Sequence, residues 1–236
     1  MNSRSQTVAG LTTAGTGTGN RVVNSSTTAS TFTVNNSSDF TFGGTLGGTG
    51  TNDNNYNFTK SAAGRLILTA SNTFTGTTTV SAGTLLVSGA LGTSSVSTGT
   101  VTVDSGATIG GTGEIYGSIV LNGGSYLSIA SLADPLKVTG TVTLGSGFGI
   151  DNLLGIDWDS LDLDTKYTLI SDTSTTFDTS AIDNFGIANK FAVGSLDRFA
   201  YFDNGSLAVY VVPETSTAML GLTGLLGLAW RRRRSA

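Results

Sequence analysis

Between Gly64 and Gly89 the chain reads GRLILTASNTFTGTTTVSAGTLLVSG, three short β-type runs separated by turn residues. The runs are Leu66-Ile67-Leu68-Thr69, Thr77-Thr78-Thr79-Val80 and Thr84-Leu85-Leu86-Val87. Their β-branched and aliphatic residues favour extended chain, and the Gly- and Asn-Thr-containing gaps turn it. No run is long enough to close a core alone. A chain that repeats strand and turn at this spacing buries its inner faces by coiling, each rung against the next.

The spacing extends the pattern. Apolar residues centre short runs at Leu66, Leu85, Val101, Ile119 and Val138, in steps of 19, 16, 18 and 19 residues. A second set two residues on, Leu68, Val87, Val103 and Leu121, falls on the same strand face. A step near 20 fits one turn of a parallel β-helix. The expectation is that Leu66, Leu85, Val101 and Ile119 point into one interior and stack on successive rungs. An antiparallel sandwich of short strands is the alternative.

Composition narrows the functions. Gly accounts for 33 residues and Pro for 2, and only 12% of residues are charged, which suits short strands and tight turns better than disorder. Helix formers Lys, Glu and Gln are scarce. The chain has neither Cys nor His, which removes disulfides, thiolate nucleophiles, Ser-His-Asp triads and the usual zinc ligands. Net charge is −4 with four arginines at the C-terminus, so the body is more acidic still, and nucleic acid is not an expected partner.

Along the chain, residues 1–147 form the expected β-helical region. Met1 to Gly10 lacks the apolar run of a secretory signal, and 11–38 resembles a worn repeat with Thr31-Phe32-Thr33-Val34 as a strand. The start is therefore expected to be internal to a longer natural protein. Val101-Thr102-Val103, Ala107-Thr108-Ile109, Ser118–Leu121, Tyr126–Ile129 and Val142-Thr143-Leu144 continue the rungs, with glycine clusters such as 110–113 as separators. From 148 to 211 Gly falls, and Asp and aromatics rise. Tyr167–Ile170, Phe199–Phe202 and Ser206–Val211 read as longer strands, with Asp203-Asn204-Gly205 as a hairpin turn. An antiparallel cap over the last rung is expected there, and a separate small β-domain is the competing view.

The segment from Asp39 to Gly111 resembles the autotransporter-associated β-strand repeat, also called the passenger-associated transport repeat. The matching residues are Phe40-Thr41-Phe42-Gly43-Gly44, Lys60-Ser61-Ala62-Ala63-Gly64-Arg65-Leu66-Ile67-Leu68, Asn72-Thr73-Phe74-Thr75-Gly76-Thr77 and Ala82-Gly83-Thr84-Leu85. The family reads lysine, threonine, glycine, alanine, glycine where this chain has Lys60 to Gly64. The resemblance implies a β-helical, exported surface protein without catalytic residues.

Other sites are weaker. Asp157, Asp159, Asp162 and Asp164 carry the oxygen ligands Ca²⁺ takes, but without the glycine and closing glutamate of an EF-hand they read as a solvated loop. Gly47 to Asp53 echoes a calcium-binding nonapeptide once and reads as a turn. Asn57-Phe58-Thr59 and Asn204-Gly205-Ser206 match the glycosylation pattern and are read as chance matches in turns. Asp104, Glu114 and Asp134 show no repeated acidic pairing of the kind glycoside cleavage uses. No catalytic residue, metal site or cofactor is expected. Solenoid faces rich in Thr and Asn suit weak binding of an extracellular polysaccharide.

The C-terminus, 212–236, resembles the PEP-CTERM sorting signal of Gram-negative bacteria. Val212, Pro213, Glu214, Thr215, Ser216 and Thr217 stand for the motif, with Thr215 where the family has its second proline. An apolar run from Ala218 to Trp230 follows, then Arg231, Arg232, Arg233 and Arg234. As a helix the run rises about 20 Å, short of a bilayer core of ~30 Å, so Thr215 to Thr217, Trp230 and snorkelling arginines extend it. The arginines favour the cytoplasmic side. The expectation is an all-β parallel β-helix with an antiparallel cap and a short C-terminal transmembrane helix. The resemblance implies an exosortase-type protease as partner, a precursor in the inner membrane, and a body delivered to the cell surface or matrix. An autotransporter-like adhesin and a carbohydrate-active β-helix are the alternatives.

Overall fold

The computed structural model describes residues 1–14, 19–171, 177–178, 182–203 and 208–213. Three parallel sheets form the walls of a coil, and the chain visits them in rotation. One turn runs through Tyr56–Ser61 on the first sheet, Arg65–Leu68 on the second, Ser71–Asn72 on the third, and returns with Thr78–Val80. The first sheet has eight strands among the described residues, from Gln6–Val8 to Phe177–Asp178. The second has six, from Phe40–Phe42 to Leu153–Leu154. The third has five, from Ser71–Asn72 to Ile170–Ser171, and the pair Arg21–Val22 and Thr45–Leu46 precedes it.

Alternation explains why the strands lie this way. In Tyr56–Ser61 every second residue is buried, and Thr84–Val87 and Val101–Val103 follow the same period of two. The inward residues form one core, with Leu66, Leu68, Leu85, Val87, Ile109 and Leu127 all fully buried. Phe32, Tyr56, Phe58 and Phe74 pack as an aromatic cluster, with ring centroids 5.5 to 6.3 Å apart. The Tyr56 hydroxyl is spent on the Val22 carbonyl at 2.9 Å, and burial holds it protonated.

Leu66, Leu85, Val101 and Ile119 do share one interior, but they do not form one column. Leu85 pairs with Leu66 and then with Ile109 on the second sheet, whereas Val101 pairs with Ile119 on the first. Val138 lies on the third sheet, opposite Ile115. The step of 16 from Leu85 to Val101 therefore crosses from one wall to another. Along the second sheet the partners are really 26, 19, 24, 18 and 26 residues apart. All three walls use the same aliphatic residues, so a sequence period cannot tell them apart.

The third sheet contains the main surprises. Its strands are two or three residues long, and several fall where turns are expected from sequence. Asn72 is fully buried in a strand, in register with Leu91. Its Oδ1 accepts from Leu46 N at 2.9 Å, and its Nδ2 donates to Ala70 O and Ala90 O at 2.9 Å each. One amide thus ties neighbouring rungs together, which is how a buried polar side chain avoids the cost of an unmet hydrogen bond.

The parallel rungs run past residue 147, through Leu153–Leu154, Ile170–Ser171 and Phe177–Asp178. A four-stranded antiparallel sheet is built in the same region from Thr165–Thr168, Phe191–Val193, Arg198–Phe202 and Ala208–Pro213. The run Tyr167 to Ile170, expected to be one strand, divides between the two. Thr168 ends an antiparallel strand and Ile170 begins a parallel one. Phe148 and Phe202 meet at 6.3 Å, and Val193, Ala200, Phe202 and Val209 belong to the same core as the coil. The sheet therefore shares the coil's core. Arg198–Phe202 and Ala208–Pro213 pair as the expected hairpin, although its turn, 204–207, lies outside the described residues.

Candidate functional site

The stretch around Lys60 shows what its local sequence is for. Lys60 is fully buried, on the inward side of the strand Tyr56–Ser61. Its Nζ donates to Ser61 O at 2.9 Å, Ala62 O at 2.8 Å and Ala82 O at 3.1 Å. An ammonium has three N–H bonds, and three carbonyl oxygens from two rungs take them. Burial pushes the Lys60 ammonium down to about 8, against the opposing pull of the Asp39 carboxylate.

The turn it holds is tight. Ala62 has φ 61, a left-handed conformation that an L-residue with a Cβ adopts at a cost. At this position the repeat resembled in sequence carries glycine. Ala62→Gly should therefore raise stability, by about 0.5–1 kcal/mol once the looser unfolded chain is counted. Urea denaturation measures it, and an unchanged or lowered midpoint would contradict strain at Ala62. Gly64 has a different reason: a Cβ there would lie 2.3 Å from Ser38 O on the preceding rung.

Outside the coil, the third sheet carries an open groove of about 450 Å³. Ser71, Ala90, Glu114 and Lys137, which follow one another in register, line it. Gly92, Thr93 and Ser94 lead from the Ala90 strand into a tight turn, where Thr93 N donates to Val96 O at 2.7 Å. Gly92 has φ +82, and a Cβ on it would come within 2.9 Å of the Tyr116 Cβ. Tyr116 lines the groove too. A hydrogen bond to the Glu114 carboxylate raises its hydroxyl above the usual tyrosine value. Lys137 makes a 3.5 Å ion pair with Asp134.

Among the sequence candidates, Glu114 lines this groove, whereas Asp104 and Asp134 do not. Asp104 accepts from Asn122 Nδ2 at 3.2 Å. Asp159 is engaged elsewhere: its carboxylate accepts from Ser195 Oγ at 2.6 Å and Ser195 N at 2.9 Å, which holds it below the usual carboxylate range. Asp164, with φ 55, donates its N–H to Val211 O. No group of three or more acidic side chains that could hold a metal occurs among the described residues. Gly50 N donates to the Asp53 carboxylate at 2.8 Å, so Gly47 to Asp53 closes as a turn. Asn57 does not lie in a turn. It sits in the strand Tyr56–Ser61, where its Oδ1 accepts from Thr77 N at 3.0 Å.

The C-terminal motif begins where the folded body ends. Val212 and Pro213 close the strand Ala208–Pro213, opposite Phe199 and Arg198. Glu214, Thr215, Ser216, Thr217, the run to Trp230 and Arg231 to Arg234 lie outside the described residues. Among the described residues no helix is long and apolar enough to cross a membrane.

No curated protein and no solved structure matches the chain. A family model does, over residues 58–87, which include Lys60, the turn it holds, Asn72 and the strand Thr84–Val87; it is described as the passenger-associated-transport-repeat.

Proposed function

We propose that the chain is an exported, non-enzymatic structural protein of the cell surface or extracellular matrix of a Gram-negative bacterium. Its C-terminal segment is a sorting signal for an exosortase-type protease. The observation that carries this reading is the position of Pro213: the last strand of the body ends on it, and the Pro-Glu motif starts there. A cut beyond Pro213 would leave the coil and its antiparallel sheet whole. The precursor sits in the inner membrane through the run from Ala218 to Trp230, with the arginines inside. The match over 58–87 supports export to the surface. It also favours a second reading, an autotransporter-like passenger or adhesin.

The full-length gene, expressed in a host with an exosortase, tests the sorting reading by immunoblot of membrane and released fractions. Wild type should appear as a shortened form lacking the arginines. Replacing Pro213 and Glu214 together by alanine should leave insertion intact, because the apolar run is untouched, but abolish the shortening. Replacing the four arginines by glutamate should impair retention. Equal mass and equal fractionation of wild type and the Pro213/Glu214 variant would overturn the reading.

A further inference from the structure

The groove on the third sheet is part of a longer trough. A second hollow of about 220 Å³ is lined by Arg21, Thr45, Gly48, Thr49, Thr73 and Ser71, and Ser71 also lines the first. Arg21 and Thr45 are in register, as are Ser71, Ala90, Glu114 and Lys137. Leu46 N, bonded to Asn72 Oδ1, joins the two sets. Six residues on successive rungs at about 4.8 Å span about 24 Å along the coil axis. In a parallel sheet, residues before each strand fall on one side of the trough and those after it on the other. Ser88 and Thr112 thus make one bank, and Thr93 and Tyr116 the opposite one.

The chemistry of the trough selects its occupant. It offers hydroxyls along its length, one aromatic ring, a carboxylate and an ammonium. Tyr116 is already tethered to Glu114, so the ring is held before anything binds. The floor is a sheet face, not a free strand edge, so an extended peptide finds no backbone ladder to join. The acidic body opposes polyanions. An open, linear shape suits a polymer better than a small molecule. We propose that the trough binds a neutral polysaccharide chain laid along the coil axis. Tyr116 packs against a sugar ring, and Glu114, Lys137 and the flanking hydroxyls take the sugar hydroxyls. The proposal goes beyond the sorting reading and does not depend on it.

Affinity electrophoresis of the purified full chain tests it, in native gels containing hydroxyethylcellulose, mixed-linkage β-glucan, dextran or alginate. At least one neutral polymer should retard the wild type, and alginate should not. Tyr116→Ala should bind about tenfold more weakly, the weight of one aromatic contact. Tyr116→Phe keeps the ring and should lose much less. Tyr126→Ala, on the second sheet, should behave as wild type. Thermal midpoints establish that each variant is folded, and Glu114→Gln, which should also bind more weakly, serves if Tyr116→Ala fails to fold. The proposal is overturned if no neutral polymer retards the wild type, if alginate alone does, or if folded Tyr116→Ala or Glu114→Gln binds like wild type. The sorting test reads mass and fractionation in cells, so either result stands without the other.

Discussion

Leu85→Asp is expected to unfold the coil. Leu85 is fully buried, with Leu66 opposite it on one neighbouring strand and Ile109 on the other. A carboxylate there would meet only hydrocarbon. An unpaired buried charge costs several kcal/mol, against a total stability of about 5–15 kcal/mol for a domain. Leu86 is the internal control, since it is only half-buried, one residue along on the outward face. Leu86→Asp should cost far less. Circular dichroism and limited proteolysis measure both, and a Leu85→Asp protein melting with the wild type would mean that the strand faces the other way.

Lys60→Met is expected to be the most damaging change that removes a charge. It leaves Ser61 O, Ala62 O and Ala82 O without their donor, on two rungs at once. Unmet buried acceptors cost about 1–3 kcal/mol each, and partial relaxation brings the total to about 3 kcal/mol. The effect should also depend on pH. Burial pushes Lys60 from the model value of 10.5 down to about 8, so the folded protein releases this proton before the unfolded chain does. Between about pH 8 and 10.5 the unfolded chain binds more protons, and wild-type stability gains as pH rises; below 8 Lys60 contributes no slope. The gap between wild type and Lys60→Met should therefore widen from pH 7 to pH 10. Urea midpoints at the two pH values measure it, and a constant gap would mean that the charged form is not penalised.

Much of this architecture can be read from the sequence, for a physical reason. Strands such as Thr84–Val87 and Val101–Val103 are long enough to show a period of two, and glycines mark their ends. Two of the three walls thus announce themselves. The third does not, because a strand of two residues, such as Ser71–Asn72 or Glu114–Ile115, has no period at all. Asn72 looks like a turn residue until its three hydrogen bonds are seen. The trough is hidden for the same reason: its residues are one per rung, 19 to 24 apart where the strands are in register, and none is unusual in its own neighbourhood. What could have found it is the pair Glu114 and Tyr116, two residues apart, in a chain where charged and aromatic residues are sparse. Lys60 was visible as part of a motif, but nothing local reveals that its side chain turns inward to reach Ala82, 22 residues on.

The 18 to 26 residues that separate in-register partners along the second sheet also set a clock for assembly. A new rung finds its partner as soon as one further turn of chain has emerged, whether from a ribosome or from a membrane channel. At a synthesis rate of about 5–20 residues per second, a turn of this size appears every few seconds. Pairing of nearby strands takes microseconds to milliseconds, so each rung can settle before the next arrives. The search distance stays the same however many rungs are already in place, because every contact is with the neighbouring turn. Only the antiparallel sheet escapes this rule. Its strand Thr165–Thr168 must wait for Ala208–Pro213, the last described piece of chain to appear. Growth by rungs is thus gradual, and closure of the core at that end is a single late event.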